Sequence, residues 1–573
     1  MGAHCVKVKK KLLWLWGAVQ RAAERNFGWI AVLFALNYFT IFWANYHMYQ
    51  WEQVSVVLVD AVFLFVGVGA YVVALDLIPF PRLGKVLKVL SLLLSLLLAG
   101  MEIFSILTYQ ALLGAGMVTA ILQTNPQEAI EFFSKYVGIK WMLSAMGVAA
   151  FLLLVRKRLL AVRFPFFCRH WQNRLLPILF VAGVGAGAIL WQEYHPFVLN
   201  DMLDIPAVQV GRAVSVSLKD IEAYENLERN MENTAEITEN RSDIPHVVFI
   251  LGESAYRGRM HLYGYDLENT PNLDELQKKG EIAVFQDTVS PKSATVAVLR
   301  ELFTFHDVED SEVWYHRNNF MDVLKVAGYR TYWISNQDSS GIWGNVGQFY
   351  ANRCTRKMYT SRRESHEDHG KLDEELFPLI DEARQMAGEK NFYLIHLMGE
   401  HTLYYFRYPY TFTKFTKDDV HGVQAGLSED KRTEIAQYAN AIYYGDYIIS
   451  SIIDMFRKEN ALVIYLSDHG ETVYDDGSDL AGHTEENPTK HTVEVPLIFW
   501  GSERFRETHP ELWNKILSAV RHPYMTDDMI HTLMDIMEIH TKEFMPQKSV
   551  IHPEFDAGRK RMINGMDYDA SMR

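Results

Sequence analysis

Apolar residues crowd the first third of the chain into five long runs, near 27–45, 54–78, 86–110, 138–155 and 175–192. Several sit at the short end of the roughly 17–25 residues a membrane-spanning helix needs, but five in succession predict a membrane domain rather than a soluble bundle. Lys and Arg gather in the loops of one side, at Arg82, Lys85 and Lys88 and then Arg156, Lys157, Arg158, Arg163, Arg169 and Arg174. The loop 46–53 has neither, and the next loop on that side has only Lys135 and Lys140. The positive-inside rule therefore predicts a cytoplasmic N-terminus, with everything after residue 192 outside. The basic stretch 1–26 is too long before the first apolar run for a simple signal peptide. Asp60, Asp76 and Glu102 lie within or at the edges of the runs, where a carboxylate needs a partner or a role. The loop QTNPQEAIEFF reads as a turn and an amphipathic helix start, placed to lie on the membrane surface or to cap the bundle.

Beyond 192 the pattern changes. Residues 193–243 are polar and acidic, with Ile221, Tyr224 and Leu227 at helical spacing, and predict a surface helix in a linker. From 244 onward short apolar runs alternate with amphipathic ones. Strands are predicted at 247–251, 329–335, 391–397, 461–466 and 495–500, and a long helix over 432–457 with Ile435, Ile442, Ile449 and Ile452 on one face. The alternation predicts an α/β sandwich around a largely parallel sheet. The chain thus divides into a membrane domain (1–192), a linker (193–243) and an α/β domain (244–573).

A formal net charge of −14 with no basic face in the soluble part argues against a nucleic-acid partner. Of three cysteines, Cys5 and Cys168 fall in the membrane region and Cys354 stands alone after it, so the α/β domain has no internal disulfide.

The candidate chemistry sits at strand ends. Glu253 follows HVVFILG, and Asp468, His469 and Glu471 follow ALVIYLS, where open α/β sheets place their sites. A Glu, an Asp and a His from two strand ends form an oxygen-plus-imidazole set suited to a divalent metal, although each alone reads as a cap or turn residue. SPKSATVAVLRELFTF places Ser290, Ser293 and Thr295 ahead of a helix predicted over 296–303. A hydroxyl there is an ordinary N-cap or a nucleophile with backbone N–H groups facing a phosphate, and spacing does not choose among the three. Of His396, His401, His483 and His491, two are expected in the site; Asn336 is either a turn residue or a donor to a phosphate oxygen.

Taken in order, LGES, RGRMHLYGY, the Ser/Thr-rich turn, WISNQ, HLMGEH, YLSDHGE and NPTKH resemble the phosphoethanolamine transferases of Gram-negative bacteria, in the alkaline phosphatase/sulfatase superfamily. GESAYRGRMHLYGY and HTEENPTKH look closest to the branch acting on phosphorylated heptose of the lipopolysaccharide core. The resemblance implies a multi-pass inner-membrane protein with a periplasmic catalytic domain. It implies zinc at one tight site, with a second metal as an option, held by Glu253, Thr295, Asp468 and His469. It makes Thr295 the nucleophile, His401 and either His491 or His483 substrate or second-metal ligands, and Glu471 a neighbour of the ethanolamine group. The implied donor is phosphatidylethanolamine and the implied acceptor lipopolysaccharide, at core heptose or lipid A. Alternatives are transfer to pilin or periplasmic glucan, a phosphoglycerol transferase or a sulfatase of the same superfamily, and an inactive scaffold. A sulfatase needs a Cys or Ser followed by x-Pro-x-Arg, which SPKSA does not supply. Lipid A-modifying relatives often carry a Cys beside the nucleophile and several disulfides; Pro291 and Lys292 stand in that turn here.

Overall fold

Three helices open the structure because the first three apolar runs are long enough to close their own hydrogen bonds: α1 (Phe27–Tyr49), α2 (Val54–Leu77) and α3 (Pro81–Tyr109). All three are long and apolar enough to cross a membrane. This computed structural model describes residues 17–49, 54–123, 129–130, 132–133, 205–229, 234–337, 346–360, 372–420 and 426–573. The runs predicted near 138–155 and 175–192 lie outside the described residues. Among the helices, Asp76 is paired rather than bare: Arg25 reaches it at 2.7 Å and Lys88 at 3.3 Å, and Lys88 also donates to Asn26 at 2.7 Å. Glu102 accepts the Leu113 N–H at 3.3 Å, and Asp60 is fully buried.

The chain divides into two compact units, and the second carries the α/β fold. Helix α4 (Pro206–Arg229) occupies the predicted linker. The linker's last part is not free chain: Ile237–Asn240 forms a strand antiparallel to Ile539–Thr541.

Seven strands make the main sheet: β1 (His246–Gly252), β2 (Ile282–Phe285), β3 (Arg330–Ser335), β4 (Arg356–Tyr359), β5 (Asn391–His396), β6 (Ala461–Ser467) and β7 (Leu497–Gly501). Their spatial order is β2-β7-β6-β1-β5-β3-β4. The pairs β6/β1, β1/β5, β5/β3 and β3/β4 are parallel; β7 runs antiparallel to both β6 and β2. The five predicted strands are all present, while β2 and β4, four residues each, gave too short a pattern to read. Period-two alternation splits β1 between two cores. Val247, Phe249 and Leu251 face the side of Phe303, Trp333 and Met529, and Val248 and Ile250 face α6 (Glu429–Phe456) through Ile435, Ile442 and Ile449. Each such side chain stabilises the fold by roughly 1.5–3 kcal/mol, and trimming Ile250 to Ala would cost about 2–5 kcal/mol because the sandwich closes on both sides. The parallel register sets Gly252 beside Ser467, so Glu253 and Asp468 emerge from adjacent strands at the same sheet edge.

Candidate active site

Glu253 is held by a backbone that has no freedom to drift. Ser254 adopts a left-handed conformation with φ of 60°, at a cost of about 1–3 kcal/mol for a residue with a Cβ. Its neighbours over-determine it. The Ser254 N–H donates to Asp468 Oδ1 at 3.3 Å, its hydroxyl to Glu253 Oε1 at 2.9 Å, and its carbonyl accepts from the Tyr438 hydroxyl at 2.7 Å. On the other side Gly399, with φ of 50°, packs so closely that an added Cβ would lie 2.7 Å from the Glu253 carbonyl oxygen.

Thr295 is the first residue of α5 (Thr295–Leu302), one position earlier than the predicted helix. Ala294 precedes it and supplies no side-chain cap, leaving the first-turn N–H groups without that acceptor and suited to an anion. The Thr295 hydroxyl donates to Glu253 Oε2 at 2.8 Å and lies 3.4 Å from His469 Nε2. The other two hydroxyls are placed differently. Ser293 Oγ donates to the Thr484 carbonyl at 2.7 Å, and Ser290 is buried without a side-chain hydrogen bond.

His469 Nδ1 lies 2.9 Å from the Gly470 carbonyl, which places its hydrogen there and turns Nε2 toward the carboxylates. Nε2 is 3.3 Å from Glu253 Oε1 and 3.5 Å from Asp468 Oδ2. His483 repeats the device with a carboxylate: Nδ1 is 2.6 Å from Glu471 Oε2, leaving Nε2 as the ring nitrogen open to a ligand role, and its ring sits 4.1 Å from that of His469. Glu471, fully buried, also accepts from the Tyr404 hydroxyl at 2.9 Å.

These side chains fit a metal. Ligand atoms of Glu253, His469 and His483 all lie within 4.8 Å of one another. Asp468 Oδ2 is buried with no hydrogen bond. Burial and then the charge of Glu253 push the Asp468 carboxyl well above the usual range. Burial opposes charge on His469 as well, but Asp468 and Glu253 overcome it and raise the imidazole to about 10. Burial likewise opposes charge on Glu253, which the cationic His469 nevertheless holds well below the usual carboxylate range. Two carboxylates in one dry site thus hold a proton on His469 in the role a divalent cation fills better.

The remaining predicted residues separate. His401 is half-buried; burial pushes its imidazole down to about 4, with Glu253 near enough to oppose that shift, so at neutral pH the ring is uncharged. His491 packs edge-on against Tyr256 with ring centroids 5.0 Å apart and is not part of the Glu253–His469–His483 cluster. His396 lies inside the sheet against Trp333. Asn336 donates to Asp373 Oδ1 at 2.7 Å and accepts from Thr360, so its amide serves the packing beneath the site. Its neighbour Gln337, which sequence reasoning passed over, donates to Glu253 Oε2 and to the Leu397 carbonyl, both at 3.1 Å. Consecutive residues leaving a strand point to opposite sides, and that alternation was the available signal.

Residues 245–539 match the sulfatase family. The chain belongs to that family. Residues 68–201 match the phosphoethanolamine transferase EptA/EptB family, and this sulfatase-family chain is a phosphoethanolamine transferase, as its motifs implied. It is 27% identical over 513 residues to phosphoethanolamine transferase EptC of Escherichia coli K12, covering 84% of this chain and 85% of that protein. The zinc complex of the C-terminal periplasmic domain of E. coli EptC superposes with a TM-score of 0.55 at 29% identity, over 59% of this chain and 96% of that domain. The integral membrane protein EptA of Neisseria meningitidis has the same overall fold, with a TM-score of 0.62 at 20% identity over 91% of this chain and 98% of that one. The sulfatase-family chain is accordingly an inner-membrane protein whose catalytic domain is periplasmic.

Proposed function

We propose that this transferase moves phosphoethanolamine from phosphatidylethanolamine to a phosphorylated sugar of lipopolysaccharide, by way of a covalent intermediate on Thr295. The observation that carries the reading is the Thr295 hydroxyl, 2.8 Å from Glu253 Oε2 at the start of a helix. Glu253 takes the hydroxyl hydrogen and so aims a lone pair of Oγ1 away from the carboxylate. In the first half-reaction the Thr295 Oγ1–P bond forms, the bond from phosphorus to the glycerol oxygen breaks, and the proton ends on diacylglycerol. The α5 N–H groups favour the developing phosphoryl charge. His401, uncharged at neutral pH, and His483 hold the phosphoryl oxygens or a second metal, and Glu471 and Tyr404 line the side suited to the ethanolamine cation. A zinc ion held by Glu253, Asp468 and His469 with Thr295 would supply a Lewis acid that lowers the hydroxyl's pKa. An acceptor phosphate or hydroxyl then displaces Thr295. GESAYRGRMHLYGY and HTEENPTKH favour core heptose as the acceptor over lipid A.

Intact-protein mass spectrometry after incubation with the donor lipid tests this directly. The wild type gains one phosphoethanolamine, Thr295→Ala gains none while keeping most of its metal, and Thr295→Ser keeps part of the activity. An adduct mapping to Ser293 would overturn the nucleophile. Mass spectrometry of lipopolysaccharide, pilin and glucan from cells with and without the gene identifies the acceptor.

A further inference from the structure

Directly after His401 the chain runs TLYYFRYPYTFT, and over these twelve residues, 402–413, the one charged side chain is Arg407. Arg407 is buried and donates inward, to the carbonyls of His401 at 3.1 Å and Thr402 at 2.9 Å. The outer face of the segment is therefore aromatic and uncharged. Tyr405 is 44% exposed and packs at a tilt against Phe406 with ring centroids 4.1 Å apart, and Tyr410 is 89% exposed.

The segment is pinned to α6. Buried Asn440 accepts the Lys414 and Phe415 N–H groups at 2.9 and 2.8 Å and donates to the Phe415 carbonyl at 2.8 Å. Phe412 packs on Tyr444 at 4.9 Å. Tyr404 turns inward, packs edge-on against Tyr438 and reaches Glu471 in the site. One short segment thus has a foot among the site residues and holds Tyr405 and Tyr410 outward beside it. A Tyr held almost wholly in water by an ordered backbone gains nothing from its own domain.

We infer that this aromatic rim seats against the membrane interface and delivers the lipid donor to the site. Tyr combines an apolar ring with a hydroxyl that keeps a hydrogen bond at the headgroup level, the residue type bilayer interfaces select. The chain is anchored in a membrane, so a bilayer is its constant neighbour. A sugar of the acceptor is the competing occupant, since a single ring also stacks on a glycan; two exposed Tyr on a segment whose one charged side chain is buried favour lipid. The inference rests on the lipid-donor reading above.

The test uses the full-length protein reconstituted in phosphatidylcholine–phosphatidylethanolamine vesicles. For the Tyr405→Ser/Tyr410→Ser double variant, kcat/KM for the long-chain donor falls about tenfold, the loss expected when two interfacial anchors are removed. Transfer from soluble dihexanoyl phosphatidylethanolamine stays at the wild-type rate. A spin label on Tyr410→Cys, with Cys5, Cys168 and Cys354 changed to Ser, meets oxygen more than a water-soluble nickel chelate. Equal losses with both donors, a label that stays in water, or a rise confined to KM for the acceptor sugar overturns the inference. If the wild type transfers from neither donor, the donor reading itself fails, and the label depth still judges the surface.

Discussion

His483 Nδ1 lies 2.6 Å from Glu471 Oε2, and this pair, rather than His491, stands with Glu253 and His469. A carboxylate behind a His fixes its tautomer and strengthens it as a ligand, and losing such a partner costs about 10–100-fold in metal affinity or activity. His483→Ala should therefore lower transfer by at least that factor, and Glu471→Gln by about 10–100-fold. His491→Gln should remain within a few fold of wild type, because its ring packs on Tyr256. Turnover and metal content of the three variants decide; a dead His491→Gln with a healthy His483→Ala would reverse the assignment.

Gly399 gives a backbone test of the same site. Ala at φ of 50° pays roughly 1–2 kcal/mol for a left-handed backbone, and its Cβ would strike Glu253 backbone at 2.7 Å. Gly399→Ala should lower the melting temperature and lose metal and activity together. Gly280→Ala is the control: its φ is 68° but nothing lies within 4 Å of the new Cβ, so stability falls and activity holds. Full activity in Gly399→Ala would show that the approach to Glu253 is unimportant.

The five crossings expected from the apolar runs predict where reporters work. A periplasm-dependent reporter fused after Ser242 should be active and one fused at Arg163 silent. Activity at both points, or the reverse pattern, would remove the membrane arrangement and the access to donor lipid with it.

Strand ends were the readable part of this chain because a run such as Val247 to Leu251, buried on both faces, is a pattern in itself, and the residue leaving it needs no tertiary information to locate. Glu253, Asp468 and His469 were visible for that reason. Residues on loops were not. NPTKH points to His491 while the distance from SDHG also permits His483, and what sets His483 apart is Glu471, whose carboxylate turns back to it through a contact that no periodicity encodes. Gln337 and Tyr404 stayed hidden for the same reason, while Thr295 stood out from Ser290 and Ser293 through the family motif alone, its contact with Glu253 being visible only in the fold.

Among the described residues no disulfide supports this site. Cys354 is a free thiol, and burial pushes it up to about 12, so it stays protonated and unreactive. A reductant should leave the melting temperature unchanged, whereas a chelator should lower it, since metal binds the folded state alone. The chelator effect should grow with pH. In the metal-free protein burial opposes the charge on His469, but Asp468 and Glu253 raise it from 6.5 to about 10. That pairing is fully present below the unfolded value of 6.5 and is lost as pH rises through about 10. The metal has the opposite preference, because it needs the proton gone from His469. The drop in melting temperature on chelation should thus be larger at pH 9 than at pH 6. Asp468→Asn removes one of the two competing carboxylates, so its metal-free form should melt higher than the wild type's and respond less to chelator. A melt that answers to reductant and ignores chelator at both pH values would mean that these residues hold no metal.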